Sequence, residues 1–272
     1  MTTSDADNSA PLLKEETANQ VRWITLNRPK QRNPLSSHML EALTKALADA
    51  GNDPQVRVIV ITAEGPVFSA GHDLREMSRQ DGEDIASQQT RMGIILESCA
   101  AMMLDIVHSP KAVIACVQGT ATAAGCQLVS ACDLAIASDA VTFCTPGVNI
   151  GAFCTTPLVG IGRNMHRKHA MAMALTGDAI PAEEAVRIGL INEAVPAGQL
   201  VEHTRDLAER IASKSAQGIR QGKADFYRQI DMPIEEAFNH ANEAMVRAMT
   251  SPDAMEGKKA FFEKRAPQWG DA

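Results

Sequence analysis

The chain has 272 residues and a formal net charge of −7, with 45% hydrophobic and 22% charged residues. This length is enough to bury one large core, with or without an appended region. The acidic balance argues against nonspecific binding to nucleic acid or to a membrane surface, and no apolar run approaches the length of a membrane span. The composition therefore predicts an ordinary globular protein with neither nucleic acid nor a membrane as its partner.

The cysteines and the start of the chain indicate its compartment. The six cysteines form no CxxC pair and are too sparse for a secreted disulfide framework, so we expect reduced, buried thiols. The first twenty residues are acidic with Lys14 as the only base, unlike an arginine-rich transit peptide or a secretory signal. We therefore expect a flexible leader over residues 1–16 and a cytoplasmic location.

Strand and helix patterns alternate along the first two hundred residues. In chain order, the predicted elements are strand Val21–Leu26, a helix capped by Ser36 or Ser37, strand Val56–Ala63, a polar loop or frayed helix over Ser78–Ser87, helix Arg91–Val107, strand Ala112–Val117, helix Gly125–Cys132 and strand Leu134–Ala137. After about Leu200 the strands stop, and amphipathic helices follow over Leu200–Ser213, Pro233–Met249 and Pro252–Arg265. This pattern predicts an α/β core over 17–200 and a helical region over 201–272.

Two turns of small residues are the most informative features of the chain. The first, Phe68-Ser-Ala-Gly-His-Asp-Leu-Arg-Glu-Met77, follows the strand that ends at Ala63. The second, Gln118-Gly-Thr-Ala-Thr-Ala-Ala-Gly-Cys126, follows the apolar run that ends at Val117. Such turns between strand and helix free backbone N–H groups and let a ligand approach the chain. We expect the N–H groups of His72 and Ala124 to form an oxyanion hole around one carbonyl oxygen.

These turns, together with Leu26-Asn-Arg-Pro-Lys-Gln-Arg-Asn33 and Phe261-Phe-Glu-Lys-Arg265, resemble the crotonase (enoyl-CoA hydratase/isomerase) superfamily from about Val21 to Trp269. Within it, Ala-Thr-Ala-Ala-Gly-Cys-Gln-Leu and Thr-Pro-Gly-Val-Asn are similar to the enoyl-CoA hydratase domain-containing protein 3 group. The resemblance implies a spiral of repeated ββα units and an acyl-CoA thioester as ligand, with CoA part of the substrate and no separate cofactor. It also implies that the C-terminal helices build a homotrimer or a hexamer.

The chain departs from the hydratase pattern at both catalytic positions. Enoyl-CoA hydratases of this superfamily place one glutamate where this chain has Gln127 and another where it has Gly147. Some relatives instead place an aspartate where Cys154 and Thr155 stand here. Hydration needs a base and an acid that exchange protons near neutral pH, and neither an amide nor a glycine does so. We therefore expect the binding frame without ordinary hydratase chemistry.

The resemblance also assigns residues to CoA. The implied substrate- and CoA-binding residues are Lys30, Arg32, Ala70, His72, Asp73, Leu74, Ala124, Phe261 and Lys264. The segment of Lys30 and Arg32 is the one with which relatives bind nucleotide phosphates or adenine. Phe261 and Lys264 match residues that reach the CoA of an adjacent subunit.

Other side chains have alternative interpretations. Gln127 either orients water or the acyl group, or is a hydrogen-bonding spacer, and the His72 ring is expected to point away from the acyl group. Gly147 leaves space that an anion or water could fill. No base accompanies Cys126, Cys144 or Cys154, so packing is the favoured role of these thiols. His166 and His169 share a helix face without a third ligand, so no metal site is expected.

The sequence thus predicts an acyl-CoA-binding protein with a backbone oxyanion hole. One alternative is a different acyl-CoA enzyme, such as a thioester hydrolase, a decarboxylase or an isomerase. The other is a non-catalytic acyl-CoA sensor or an assembly partner. Turnover on a panel of acyl-CoA thioesters distinguishes these alternatives.

Overall fold

A computed structural model describes residues 10–270, and its strands form two sheets. The strands are β1 (Leu13–Ala18), β2 (Val21–Leu26), β3 (Val58–Ala63), β4 (Val67–Ser69), β5 (Ala112–Val117), β6 (Thr120–Thr122), β7 (Leu134–Ser138), β8 (Thr142–Cys144), β9 (Ile180–Pro181) and β10 (Glu193–Val195). The larger sheet has the order β1-β2-β3-β5-β7-β10, in which β1 is antiparallel to β2 and the other neighbours are parallel. The smaller sheet has the order β4-β6-β8-β9, with β9 antiparallel.

Helices connect the strands and complete the chain. They are α1 (Ser37–Asn52), α2 (Leu74–Met77), α3 (Ile85–Val107), α4 (Ala124–Ala131), α5 (Pro157–Asn164), α6 (Arg167–Thr176), α7 (Ala182–Arg187), α8 (Leu200–Ala212), α9 (Ala216–Gln229), α10 (Ile234–Met249) and α11 (Pro252–Glu263), with short 3₁₀ helices at Pro29–Gln31, Pro146–Ile150 and Ala197–Gln199. Three times, a strand of the larger sheet is followed by a short strand of the smaller sheet and then by a helix. The predicted spiral of ββα units is therefore confirmed. Among residues 10–270, no helix is both long enough and apolar enough to cross a bilayer.

The edge strand β1 differs from the expectation of a flexible leader over residues 1–16. It pairs with β2 from Leu13 opposite Leu26 to Ala18 opposite Val21, so residues 13–16 belong to the sheet. Its side chains after Leu13 are exposed, and an exposed edge strand lacks the apolar alternation by which strands are recognised. Residues 1–9 of the expected leader lie outside the described residues.

Helix α8 covers one face of the larger sheet. Its buried residues pack against the strands in a second apolar cluster, which includes Val58, Val60, Ile114, Leu200, Ala208 and Ala212. The central strands β3 and β5 are therefore buried on both faces, which explains their unbroken apolar sequences. Although everything after Leu200 is helical, as expected, α8 is part of the core and only α9 to α11 extend beyond it.

The polar helix α9, which the sequence patterns did not reveal, is attached to the core by a largely buried ion pair. No residue of α9 is fully buried, but its Ile219 packs against the second apolar cluster. The Lys223 side chain is 8% exposed and donates from Nζ to the Ile106 carbonyl (2.9 Å), the Lys111 carbonyl (3.0 Å) and Asp133 Oδ2 (2.7 Å). The Tyr227 hydroxyl donates to the other Asp133 oxygen at 3.0 Å. The attachment therefore combines these polar contacts with the packing of Ile219.

Two turns meet where β4 and β6 end, and two glycines permit the contact. A Cβ added to Gly125 would lie 2.4 Å from the Ser69 carbonyl oxygen, which is far inside van der Waals contact. A Cβ added to Gly71 would lie 3.1 Å from the Ala124 nitrogen, and Gly71 also has φ +86°. The first turn thus lies directly against the start of α4, because neither glycine has a side chain.

Replacing Lys223 with alanine should lower the free energy of unfolding by on the order of 3 kcal/mol, because Asp133 would keep a buried charge without its partner. Urea denaturation monitored by circular dichroism measures this change. Lys168→Ala, at an exposed lysine on α6, should change stability by less than about 0.5 kcal/mol. Equal effects of the two substitutions would contradict the anchoring role of Lys223.

Gly125→Ala and Gly162→Ala should change stability in opposite directions. Both glycines are helical, but the Cβ at Gly125 meets the Ser69 backbone, whereas a Cβ at Gly162 would have nothing within 4 Å. We expect the first change to lower the melting temperature strongly by forcing the two turns apart. The second should raise stability by up to about 1 kcal/mol, because alanine favours the helix. Differential scanning calorimetry distinguishes these outcomes, and a neutral Gly125→Ala variant would disprove the tight contact.

Candidate functional site

The segment of residues 28–35 runs beside the first turn. The Ala70 N–H donates to the Arg32 carbonyl at 3.0 Å, and the Leu35 N–H donates to the Gly71 carbonyl at 2.8 Å. Arg32 itself has a left-handed backbone at φ 64°, which ends the short 3₁₀ helix. The structure therefore brings Arg32 next to Ala70, as the sequence resemblance implied, and places Lys30 in the same short helix.

Asn33 holds this segment in place, a role that the sequence interpretation missed. Its fully buried amide nitrogen donates to the Glu64 carbonyl (2.9 Å) and the Val67 carbonyl (2.8 Å), and its oxygen accepts from the Arg28 N–H (2.8 Å). Its backbone is left-handed at φ 49°, a conformation that asparagine tolerates better than most residues. An asparagine in the loop between a strand and a helix is the signal that could have revealed it.

The two backbone N–H groups singled out in the sequence have no protein acceptor. Within residues 10–270, neither the His72 N–H nor the Ala124 N–H makes a hydrogen bond. Ala124 is the first residue of α4, where a helix leaves its N–H groups unpaired and carries partial positive charge. Since the Gly71 position lies against the Ala124 nitrogen, His72 and Ala124 lie on turns that are in contact.

The His72 side chain is turned toward the 28–35 segment. Its Nδ1 lies 3.4 Å from the Leu35 carbonyl oxygen, and its Nε2 is buried without a hydrogen-bond partner among the described residues. Burial lowers the pKa of the imidazole below its usual value, although the Leu35 carbonyl opposes this shift. The ring is therefore neutral at pH 7 and is held on the side of the turn that faces Leu35.

Gln127 lies one turn into α4 and is 7% exposed. In the part of the chain that the structure describes, its Oε1 is buried without a hydrogen-bond donor. A buried amide oxygen without a donor is unfavourable, so this group is available to a donor that enters the site. The amide does not titrate near neutral pH, which excludes it as the acid or base of a hydration.

Gly147 does not leave an open space, contrary to the expectation that an anion or water could fill it. A Cβ at this position would lie 3.0 Å from Cys154 Sγ and 3.1 Å from the Cys154 nitrogen. The Gly147 carbonyl accepts from the Ala152 N–H at 2.9 Å, which folds the loop back over it. Its backbone is outside the left-handed region, so a side chain would be compatible with the backbone conformation. The close contact with Cys154 is what a side chain would disturb.

The cysteines near this position are protonated packing groups. The buried Cys126 thiol donates to the Ala121 carbonyl at 2.9 Å, and burial raises its pKa well above the usual value. Burial also raises the pKa of the Cys154 thiol. No His, Cys, Asp or Glu cluster of three or more, His166 and His169 included, could hold a metal ion among residues 10–270.

The remaining predicted CoA residues lie in two places. The Asp73 carboxylate accepts from the Arg75 N–H at 3.0 Å and so caps α2, and Leu74 follows it as an exposed residue. Phe261 and Lys264 lie at the end of α11, which packs on α9 and α10. Within one chain, the structure therefore groups Asp73 and Leu74 with the first turn, while Phe261 projects to the outside.

Arg91 fastens the polar segment expected to be a loop or frayed helix over Ser78–Ser87. Its guanidinium binds Glu83 at 2.7 Å and 2.9 Å, donates to the Ser78 carbonyl at 2.9 Å and also contacts the Glu76 carbonyl. The hydrogen bond from Arg91 lowers the pKa of Glu83 to about 2. The segment is therefore held against α3, which begins at Ile85.

Comparison with known proteins gives a family and relatives that agree with this fold. Residues 16–272 match the family described as enoyl-CoA hydratase/isomerase. The chain is 44% identical to the Rattus norvegicus protein named enoyl-CoA hydratase domain-containing protein 3, mitochondrial, over 92% of this chain and 81% of that protein. The human protein of the same name is 43% identical over 92% of this chain and 80% of that protein. The resemblance to this group is therefore confirmed.

Solved structures agree with the sequence matches. The crystal structure of human enoyl coenzyme A hydratase domain-containing protein 3 superposes with a TM-score of 0.91 at 40% identity, covering 95% of this chain and 100% of that chain. An enoyl-CoA hydratase from Mycobacterium smegmatis gives a TM-score of 0.90 at 41% identity, covering 96% and 99%.

The cytoplasmic location expected from the sequence is wrong by this comparison, because the rat, mouse and human relatives are named mitochondrial. The physical reason is that free thiols and an acidic net charge are compatible with either compartment. Core composition and cysteine usage therefore do not identify the compartment.

Family membership rests on agreement between sequence and fold. The family match covers the chain from residue 16 onward, and the relatives at more than 40% identity align over most of their own length. The chain therefore belongs to the enoyl-CoA hydratase/isomerase, or crotonase, family.

Proposed function

We propose that the protein binds acyl-CoA thioesters and polarises the thioester carbonyl between the backbone N–H groups of His72 and Ala124. The observation that carries this proposal is that both donors lie unpaired on turns that touch each other. Two fixed donors stabilise the negative oxygen that forms when a thioester becomes an enolate, and they need no reorganisation to do so. Lys30 and Arg32 supply positive charge beside the first turn for the phosphates of CoA.

Ordinary hydration of an enoyl-CoA is not part of this proposal. Gln127 and Gly147 occupy the two positions where hydratases carry proton-transfer groups, and Cys154 packs against the second. The nearby thiols are protonated, and the His72 ring is neutral and turned toward Leu35. Loss of one acid or base typically slows such a reaction by about 10²–10⁴-fold.

A decarboxylation is the second candidate, because the site offers oxyanion donors without a positioned base. In a thioester with a carboxylate on its α-carbon, the C–C bond to that carboxylate breaks and CO₂ leaves. The electron pair forms an enolate whose oxygen accepts from the two N–H groups, and water then protonates the α-carbon. No side chain has to remove a proton.

A sensor would bind thioesters without turning them over. Measuring turnover on a panel of acyl-CoA thioesters that includes malonyl-type thioesters distinguishes a sensor from an enzyme.

The binding site is proposed to be completed by a second subunit. Phe261 and Phe262 are 78% and 80% exposed, and apolar side chains of α9 and α10 are also exposed. These are Phe226, Ile230, Ile234, Phe238, Met245 and Val246. Such a surface is larger than isolated apolar residues would give and indicates association. Assembly into a homotrimer or hexamer would bring Phe261 and Lys264 of one subunit to the CoA of its neighbour.

Gly71→Ala should weaken thioester polarisation, because its Cβ would press on the Ala124 nitrogen and the Thr122 carbonyl. With a chromophoric aromatic enoyl-CoA, we expect the wild type to show a red-shifted absorption band that the variant loses. Affinity measured by titration calorimetry should fall on the order of tenfold. Gly82→Ala is the matched control, since Gly82 also has a positive φ but no atom within 4 Å of its Cβ position.

The wild type should bind the thioester but hydrate crotonyl-CoA far more slowly than about 10 per second, a typical enzyme rate. Failure of the wild type to bind any acyl-CoA would contradict the proposed function. A red shift that survives Gly71→Ala would instead contradict the assignment of the donors.

Hydration should be gained by the triple variant Gln127→Glu, Gly147→Glu, Cys154→Ala more than by the double variant that keeps Cys154. The thiol lies 3.0 Å from the required Cβ, so its removal makes room for the second carboxylate. Two nearby carboxylates repel, which raises one pKa and leaves one acid and one base. We expect at least a 10²-fold gain in crotonyl-CoA hydration over the wild type. A triple variant that folds, binds the thioester and shows no gain would place the deficiency in pocket shape.

Light scattering should show a trimer or hexamer of the 29.1 kDa chain. Phe238→Asp should dissociate it, because a charge on an exposed apolar residue costs little in a monomer but much in an interface. Circular dichroism checks that the variant stays folded. A monomeric wild type at micromolar concentration would contradict the proposed assembly.

A further inference from the structure

A cavity of about 260 Å³ lies at the edge of the larger sheet opposite the two turns. Its walls come from the end of α1, the residues just before β3 and β5, and the α8–α9 connection. Because β3 and β5 are parallel, their first residues meet at this edge and the chain that follows each strand lies at the other. The cavity is therefore separate from the proposed thioester site.

Four cationic side chains line this cavity, namely Arg57, Lys111, Lys214 and Arg220. Over residues 10–270, no hydrogen bond or ion pair is formed by any of these four side chains. The Nε and Nη1 atoms of Arg57 are buried without a partner. Buried guanidinium nitrogens without an acceptor are unfavourable, since buried polar groups are normally paired. An acceptor from outside the chain would remove this cost.

The surroundings compensate this positive charge only in part. The nearby Asp53 carboxylate also accepts from Arg22 at 3.3 Å and from the Gln55 N–H at 2.9 Å. Burial lowers the pKa of Lys111, and repulsion from Arg57 and Arg220 lowers it further, while attraction to Asp53 opposes the shift. The cations are therefore close enough to act on one another. This concentration of positive charge contrasts with the net charge of −7 on the whole chain.

The first turn of α9 adds to the attraction for an anion. Ala216 begins this 14-residue helix and lines the cavity, with Ile219 and Arg220 one turn later. The start of a helix carries partial positive charge and unpaired N–H groups. Guanidinium groups and a helix start together match the geometry of phosphate oxygens.

We propose that this cavity binds a small phosphoryl anion, as inorganic phosphate or pyrophosphate or as the diphosphate of a nucleotide. Ligand pockets for whole small molecules are commonly about 300–1,000 Å³, so this cavity suits the phosphoryl group and not a complete nucleotide. A bound anion links the start of β3, the start of β5 and the first turn of α9. It thereby strengthens the attachment of α9 to the core, in addition to the Lys223–Asp133 pair.

Titration calorimetry of the intact protein with pyrophosphate, at constant ionic strength in chloride buffer, tests the proposal. We expect saturable binding that Arg57→Gln or Arg220→Gln weakens by at least tenfold. Lys168→Gln, on the exposed surface of α6, is the matched control and should leave the affinity unchanged. ADP as a second titrant distinguishes a nucleotide from the free anion, and binding of either ligand with loss in Arg57→Gln supports the site.

Thermal unfolding separates loss of the site from loss of the fold. In chloride alone, Arg57→Gln should melt at or above the wild-type temperature, because it removes repulsion among the cations. Pyrophosphate should raise the melting temperature of the wild type but not that of Arg57→Gln. Absence of binding to the wild type would overturn the proposal. The proposal would also be overturned if pyrophosphate binding were lost in Arg32→Gln, at the proposed CoA segment, but retained in Arg57→Gln.

Discussion

The contact between the Gly125 position and the Ser69 carbonyl sets the arrangement of the site. It lets the β6–α4 turn approach the β4 turn so closely that the Ala124 nitrogen lies next to Gly71. The parallel pairing of β4 with β6 keeps the two strands in the register that this contact requires. Asn33 then ties the segment of residues 28–35 to Glu64, just before β4, and to Val67 at the start of β4. One close backbone approach thus positions the donors of two separate turns.

At Gly147, where the resemblance implies a hydratase glutamate, this chain differs in packing as well as in charge. The absence of a side chain at Gly147 does not leave a gap. Cys154 occupies the adjoining space, and the Ala152 N–H donates to the Gly147 carbonyl. Catalysis of hydration would therefore require changes on both sides of the contact, while the backbone donors would need none.

Much of the fold and part of the site could be predicted from the sequence. The apolar runs of β3 and β5 and the small residues after β4 and β6 carry strong local signals, and the motif order gives the superfamily. The edge strand β1 could not be predicted in this way, because its side chains after Leu13 are exposed and lack apolar alternation. Helix α9 was missed because its core-facing side includes the charged Lys223, which interrupts the apolar pattern. Asn33 was missed because it joins segments that lie far apart in sequence. The contacts of Arg91 and Cys154 lie closer in sequence, but they depend on loop conformations that side-chain periodicity does not encode.

The Lys223 ammonium has a chemical consequence beyond stability. Its three N–H bonds are donated to the Ile106 carbonyl, the Lys111 carbonyl and Asp133. As an ammonium it has no lone pair, and these partners shield it from solvent. An amine in this state is not a nucleophile. Under the proposed function, activated acyl groups would acylate exposed surface lysines, and Lys223 would be protected from that damage for as long as α9 remains attached.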